Sequence, residues 1–161
     1  MTITRLLVAA GAVGAVAALS ACSVSVGVSS GDVVADQAYA RAVEPPSLNL
    51  QAEVKNVVRT CGGGSKPSLQ QCYAFTGQSL ATTQQLERLL RHISIPPGYG
   101  KANAELLRGL GVFAQGLAAR QKSITDRSAT EYNAADTLLQ RGAEIQKAAN
   151  AAYPRDAGIT I

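Results

Sequence analysis

Ser128-Ala129-Thr130-Glu131, followed by Ala135, Leu138, Gly142, Ile145, Ala149 and Ala152, is the stretch whose reading decides the fold. The first four residues form a capping box, in which a Ser hydroxyl and an acidic residue three positions on satisfy amides that the first helical turn leaves without partners. The residues after it recur at alternating spacings of three and four, which places them on one face of a helix. Ala and Gly dominate that face, predicting a bundle helix that a neighbour approaches closely. Tyr153-Pro154 closes the segment, because the residue before a proline is pushed out of the helical region.

The pattern extends towards the N-terminus. A helix from about Lys101 to Lys122 buries Leu106, Leu110, Phe113 and Leu117. Gly109, Gly111 and Gly116 within it each cost up to about 1 kcal/mol relative to alanine, a loss that suggests close packing. Ile95-Pro96-Pro97-Gly98-Tyr99-Gly100 separates it from a helix running from Ser68 to about Ile93 on Leu69, Tyr73, Leu80, Leu86, Leu90 and Ile93. That helix opens on a second capping box, Ser68-Leu69-Gln70-Gln71, just after Pro67. Before it, Leu48 to Arg59 carries Leu50, Val54, Val57 and Val58 at helical spacing, capped by Ser47 and ended by the glycines after Cys61. Asp32 to Glu44 reads as a first short helix halted by Pro45-Pro46. No internal repeat and no alternating strand pair interrupts the series. The expected fold is all-α, an antiparallel bundle of four to five helices spanning residues 32–161.

The first 31 residues read differently. Met1 to Arg5 carries one positive charge, and Leu6 to Leu19 is an uncharged run of Leu, Val, Ala and Gly, the layout of a secretory signal peptide. It ends at Leu19-Ser20-Ala21-Cys22, which resembles the lipobox of bacterial lipoproteins: an aliphatic residue, small residues, then cysteine. The resemblance implies removal of residues 1–21, a diacylglyceryl group on the Cys22 sulfur and acyl chains of the palmitate kind. A bilayer-crossing helix is the competing reading, but the run is rich in Ala and Gly and no charged stop signal follows. Paired acyl chains meet the requirement for stable anchoring, at about 0.8 kcal/mol per buried methylene. Residues 22–31 are expected to form a flexible spacer; their alternating Ser and Val also suit a strand, although an isolated strand has nothing to pair with.

Export bears on the other cysteines. With Cys22 assigned to lipid, Cys61 and Cys72 remain, an even pair bound for an oxidising compartment and separated by a Gly-rich loop, so a disulfide is expected. Zinc requires more ligands at tighter spacing, and a thioredoxin-like centre requires Cys-x-x-Cys, so no metal and no cofactor is expected.

Composition limits the function. There is no Trp and only 2 Phe, which favours a thin Ala/Leu-packed core over a large pocket. The net charge of +4 includes Arg5 among 15 basic residues; without the leader 14 basic face 11 acidic side chains, or +3. The basic residues are scattered and lack interleaved aromatics, which argues against nucleic acid as a partner.

No catalytic set is evident, and no catalytic residue is assigned. His92 follows Arg88 and Arg91 at a helix end, where cations complement the helix dipole, and reads as a surface or capping side chain. Glu131 and Asp136, or Glu105 and Glu144, show no spacing that pairs an acid with a base. Glu87 and Arg91 read as an i,i+4 surface pair. Tyr39, Tyr73, Tyr99, Tyr132 and Tyr153 suit the rim of a core, or alternatively a ligand groove.

The stretch from Ile95-Pro96-Pro97 through Asn103, Leu106-Leu107, Leu110 and Phe113 resembles helical regions of small lipoproteins from high-GC actinobacteria, where a Pro-containing break also precedes two helices. It supplies no active-site residues. The expectation is a lipid-anchored envelope protein with its domain on the extracytoplasmic side of the cell membrane, binding an envelope protein or serving a structural role. A small-molecule or lipid carrier is the alternative, and a cell-wall enzyme a further one.

Overall fold

Both serine caps act where the sequence puts them. The Gln71 amide donates to Ser68 Oγ at 3.3 Å, and the Glu131 amide donates to Ser128 Oγ at 3.3 Å. The computed structural model describes residues 33–61 and 68–152, and four helices account for nearly all of them. We number these α1 (Val33–Cys61), α2 (Leu69–His92), α3 (Gly100–Asp126) and α4 (Ala129–Ala152). The protein is an all-α helical bundle in which α1 packs on α2, α2 on α3 and α3 on α4.

The first element corrects the sequence reading. Pro45 and Pro46 lie inside one continuous helix and do not divide two short ones. Each proline removes an amide donor and crowds the carbonyl four residues back, a cost of about 3 kcal/mol in a helix interior. Against this stands a buried stripe, Tyr39, Val43, Ser47, Leu50, Val54, Val57 and Cys61, which keeps its spacing of three and four straight through the prolines. Burying large apolar side chains contributes about 1.5–3 kcal/mol each, so several together outweigh the local penalty. Pro45 is exposed and Pro46 half-buried, off the packed stripe. Ser47 is not a cap; its hydroxyl donates to the Val43 carbonyl at 2.7 Å within the helix.

In α2 the expected face is rotated. Leu86 and Leu90 are buried, and Leu80 and Ile93 pack partly against the core. Leu69 and Tyr73, however, are exposed. The buried stripe is Cys72, Thr76, Ser79, Thr83, Leu86 and Leu90. Small hydroxyl residues fill its middle, and its threonines return their hydrogen bonds to the preceding turn. Thr76 Oγ1 donates to the Cys72 carbonyl at 2.8 Å, and Thr83 Oγ1 to the Ser79 carbonyl at 2.7 Å.

The α2–α3 connection closes a turn in which the Tyr99 amide donates to the Pro96 carbonyl at 3.1 Å. Gly98 occupies its third position with φ 87°, where an L side chain would be strained.

Helices α3 and α4 pack most tightly. Ala102, Gly109, Gly116 and Ser123 recur at every seventh position of α3, and Ala135, Gly142 and Ala149 do so on α4, all of them buried. A Cβ on Gly142 would lie 2.8 Å from the Phe113 amide nitrogen; one on Gly116 would lie 2.9 Å from that of Leu139. Here the close packing expected of Gly109 and Gly116 is realised. Gly111 differs, since a Cβ there would meet only Glu87 Oε1, at 3.2 Å. Leu106, Leu110, Phe113 and Leu117 are buried, as are Ala135, Ile145 and Ala149. Leu138 is half-buried, and Ala152, expected in the seam, is exposed in the last turn.

Helix α3 outlasts its expected end by a turn and stops at Arg127, which takes the left-handed conformation with φ 53°. The Arg127 amide donates to the Ile124 carbonyl, and the Ser128 amide donates to the Ser123 carbonyl at 3.0 Å. That is a Schellman motif with arginine where glycine is usual. Because the Ser128 amide is already used, Glu131 cannot complete its capping box, and its carboxylate turns to Lys122 at 3.0 Å.

Candidate functional site

Two polar clusters and a pair of cysteines interrupt the packing. The first cluster joins α3 and α4. Arg120 stands three residues after Leu117 on the buried face of α3, where periodicity calls for an apolar side chain. Its guanidinium pairs with Asp136, and its carbon lies 4.7 Å from the centre of the Tyr132 ring. The Arg120 side chain is 7% exposed and that of Asp136 21%, so ion pair and ring together replace much of the water the charges would have had. Arg120 Nε has no hydrogen-bond partner among the described residues. Burial raises the Asp136 carboxyl above its ordinary value, outweighing the opposing pull of Arg120. Burial also raises the Tyr132 phenol, with Asp136 adding to the rise and Arg120 opposing it.

The second cluster lies where α1 begins, α2 ends and α3 begins. Tyr39 and Tyr99, both buried, meet edge to face with ring centres 5.6 Å apart. The Tyr39 hydroxyl donates to Asn103 Oδ1 at 3.1 Å, and Asn103 Nδ2 donates to the Leu90 carbonyl at 3.4 Å. Asn103 thus bridges three helices from one buried side chain. The Tyr99 phenol is pushed up to about 12 by burial first and by the Asp36 carboxylate second. An amide held between a carbonyl and a phenol fixes register; it does not poise a proton for transfer.

Cys61, the last residue of α1, and Cys72, in the first turn of α2, stand at disulfide distance with Cα atoms 5.4 Å apart. They pack with Val57 in a small satellite core that Phe75 and Ile124 partly cover. The staple thus lies at the end of the α1–α2 hairpin opposite the tyrosine cluster.

The remaining sequence candidates are dispersed. His92 is exposed in the last turn of α2. Glu105 pairs with Arg108 at 2.5 Å, Glu131 with Lys122, and Asp136 with Arg120, while Glu144 is exposed on α4. Glu87 and Arg91 form no ion pair, the space above Gly111 letting the Glu87 carboxylate lean towards α3. Of the tyrosines, Tyr39 and Tyr99 are core, Tyr132 is half-buried and Tyr73 exposed. Tyr153, the leader, Cys22 and the spacer lie outside the described residues. Among the described residues, no group of three or more His, Cys, Asp or Glu side chains could hold a metal ion. No described helix is long and apolar enough to cross a membrane.

Sequence reasoning missed Arg120 and Asn103 as interior polar residues. For Arg120 and Asn103 a signal was present, since both fall on the apolar repeat of α3 that also carries Leu106, Leu110, Phe113 and Leu117. Compared with known proteins, the chain matches no family model, no curated protein and no solved structure.

Proposed function

We propose that the protein is an envelope lipoprotein, anchored through a diacylglyceryl group on Cys22, whose helical domain is a non-enzymatic module that binds another envelope protein or spaces it from the membrane. The observation that carries the reading is the leader: one charge at Arg5, an apolar run, and Leu19-Ser20-Ala21-Cys22 at its end. The Cys61–Cys72 pair supports it, because paired cysteines of this kind persist in oxidising compartments. The fate of the interior polar groups also favours a structural module. Asn103, Tyr39, Thr76 and Thr83 spend their hydrogen bonds holding helices together.

A partner is to be sought first at the end remote from the tether, where Leu69 and Tyr73 are 56% and 46% exposed one helical turn apart. The test is crosslinking in intact cells with a photoreactive residue at Tyr73. A discrete protein adduct that disappears on Leu69→Asp supports the reading. No specific adduct, under conditions that trap other envelope complexes, sinks the protein-binding half of it. Gly109 and Gly116 of α3 are occupied by α4, so they lend no support to the carrier alternative.

A further inference from the structure

On the lipoprotein reading the chain enters the bundle from the bilayer at the start of α1, and the following inference rests on that reading. Cys22 and Val33 are eleven positions apart, a span that cannot extend further than about 40 Å. The start of α1 is therefore leashed to the acyl chains, and the tyrosine cluster is leashed with it, because Tyr39 of α1 packs on Tyr99 and bonds Asn103 at the start of α3. The disulfide end lies a full helix away, about 35 Å for the length of α2.

Two large apolar residues are exposed at the leashed end: Val34, at 76%, and Ile95, at 42%, in the α2–α3 connection four residues before Tyr99. The same end carries exposed cations, Arg88 and Arg91 towards the end of α2 and Lys101 at the start of α3. Among the described residues, Arg88, Arg91 and Lys101 form no ion pair. The first turn of α1 carries one acidic residue, Asp36, partly buried. Free cations beside exposed aliphatic side chains are what an anionic bilayer surface recognises: headgroups take the charge, and the interface takes the apolar side chains.

We infer that the α1-start end of the bundle, through Val34, Ile95, Arg91 and Lys101, docks on the anionic surface of the membrane that holds the lipid anchor. Docking sets the helix axes away from the bilayer and presents the Leu69/Tyr73 end outward. Each cation removed weakens the contact about fivefold, and added salt weakens it further.

The chain contains no Trp, so Ile95→Trp and Leu69→Trp each create a single reporter. The full processed protein is reconstituted into vesicles of phosphatidylcholine with phosphatidylglycerol, or of phosphatidylcholine alone, each with brominated acyl chains. Flotation with the vesicles reports the anchor independently of docking. The expected result is flotation of every variant, with a blue-shifted and quenched emission for I95W in the anionic vesicles only. L69W remains unquenched, and I95W loses its quenching when Arg91→Glu and Lys101→Glu are added. A chain that floats while I95W stays unquenched overturns the docking inference and leaves the anchor standing. Equal quenching of I95W and L69W, or equal quenching in neutral vesicles, overturns it too. A chain that does not float overturns the anchored reading itself, and the inference with it.

Discussion

Replacing Gly142 with alanine tests the α3–α4 contact directly, because intrinsic propensity and packing push in opposite directions. In a helix interior the change favours alanine by about 1 kcal/mol. The new Cβ, however, would lie 2.8 Å from the Phe113 amide nitrogen and 2.9 Å from its Cα. These are backbone atoms, which cannot rotate aside, so α3 must move away and loosen the contacts along its face. Overpacking of this kind costs about 1–3 kcal/mol even where side chains can yield. With the backbone as the obstacle we place it at the upper end, for a net loss of about 2 kcal/mol. Gly111→Ala is the internal control. Its Cβ meets only the far end of the Glu87 side chain, so it should stabilise by about 0.5–1 kcal/mol. Urea unfolding of the oxidised protein followed by circular dichroism measures both. If G142A matched or exceeded G111A in stability, the close approach of α3 and α4 would be refuted.

Arg127→Gly should stabilise by about 1 kcal/mol in the same assay, since glycine takes the left-handed conformation at φ 53° without the penalty an arginine bears. Asp136→Ala strands the Arg120 guanidinium, 7% exposed, and should cost about 3 kcal/mol, whereas Arg120→Met with Asp136→Leu should recover most of that loss; a harmless D136A would count against the pair's burial. The Asp136 carboxyl is raised in the folded state, so its contribution is present below the unfolded value and lost as pH rises through the folded one. Asp136→Asn should accordingly flatten stability against pH in the acidic range. By the same sign, Tyr99, raised from 10.0 to about 12, gives stability that drains away as pH climbs through that window, and Tyr99→Phe should remove this alkaline loss in pH-dependent urea melts. Closing so short a loop stabilises by about 3 kcal/mol, which Cys61→Ala with Cys72→Ala should forfeit.

The parts of the fold legible in the sequence were those where local chemistry and burial agree. Ser68 and Ser128 announce helices because their hydroxyls have nearby amides to satisfy, and the glycines of α3 announce a close neighbour because nothing else compensates their cost. Pro45-Pro46 misled because a strong local rule met a stronger tertiary one. The stripe from Tyr39 to Cys61 holds its register across both prolines, and that periodicity was available in the sequence once Ser47 was read as a buried member and not as a cap. Leu69 and Tyr73 misled for the complementary reason. They are apolar, but Thr76, Ser79 and Thr83 own the packed face, their small size admitting a neighbour that leucine would keep away. The Arg120–Asp136–Tyr132 cluster was hidden because its members lie on two helices, and spacing along the chain carries no information about pairing across a bundle.

The central claim is the anchor on Cys22, and the most direct measurement is the intact mass of the protein purified in detergent from a high-GC actinobacterial host expressing the full precursor. The expected mass is that of a chain beginning at a diacylated Cys22 with Cys61 and Cys72 oxidised to a disulfide. An uncleaved chain bearing no lipid would contradict the anchor.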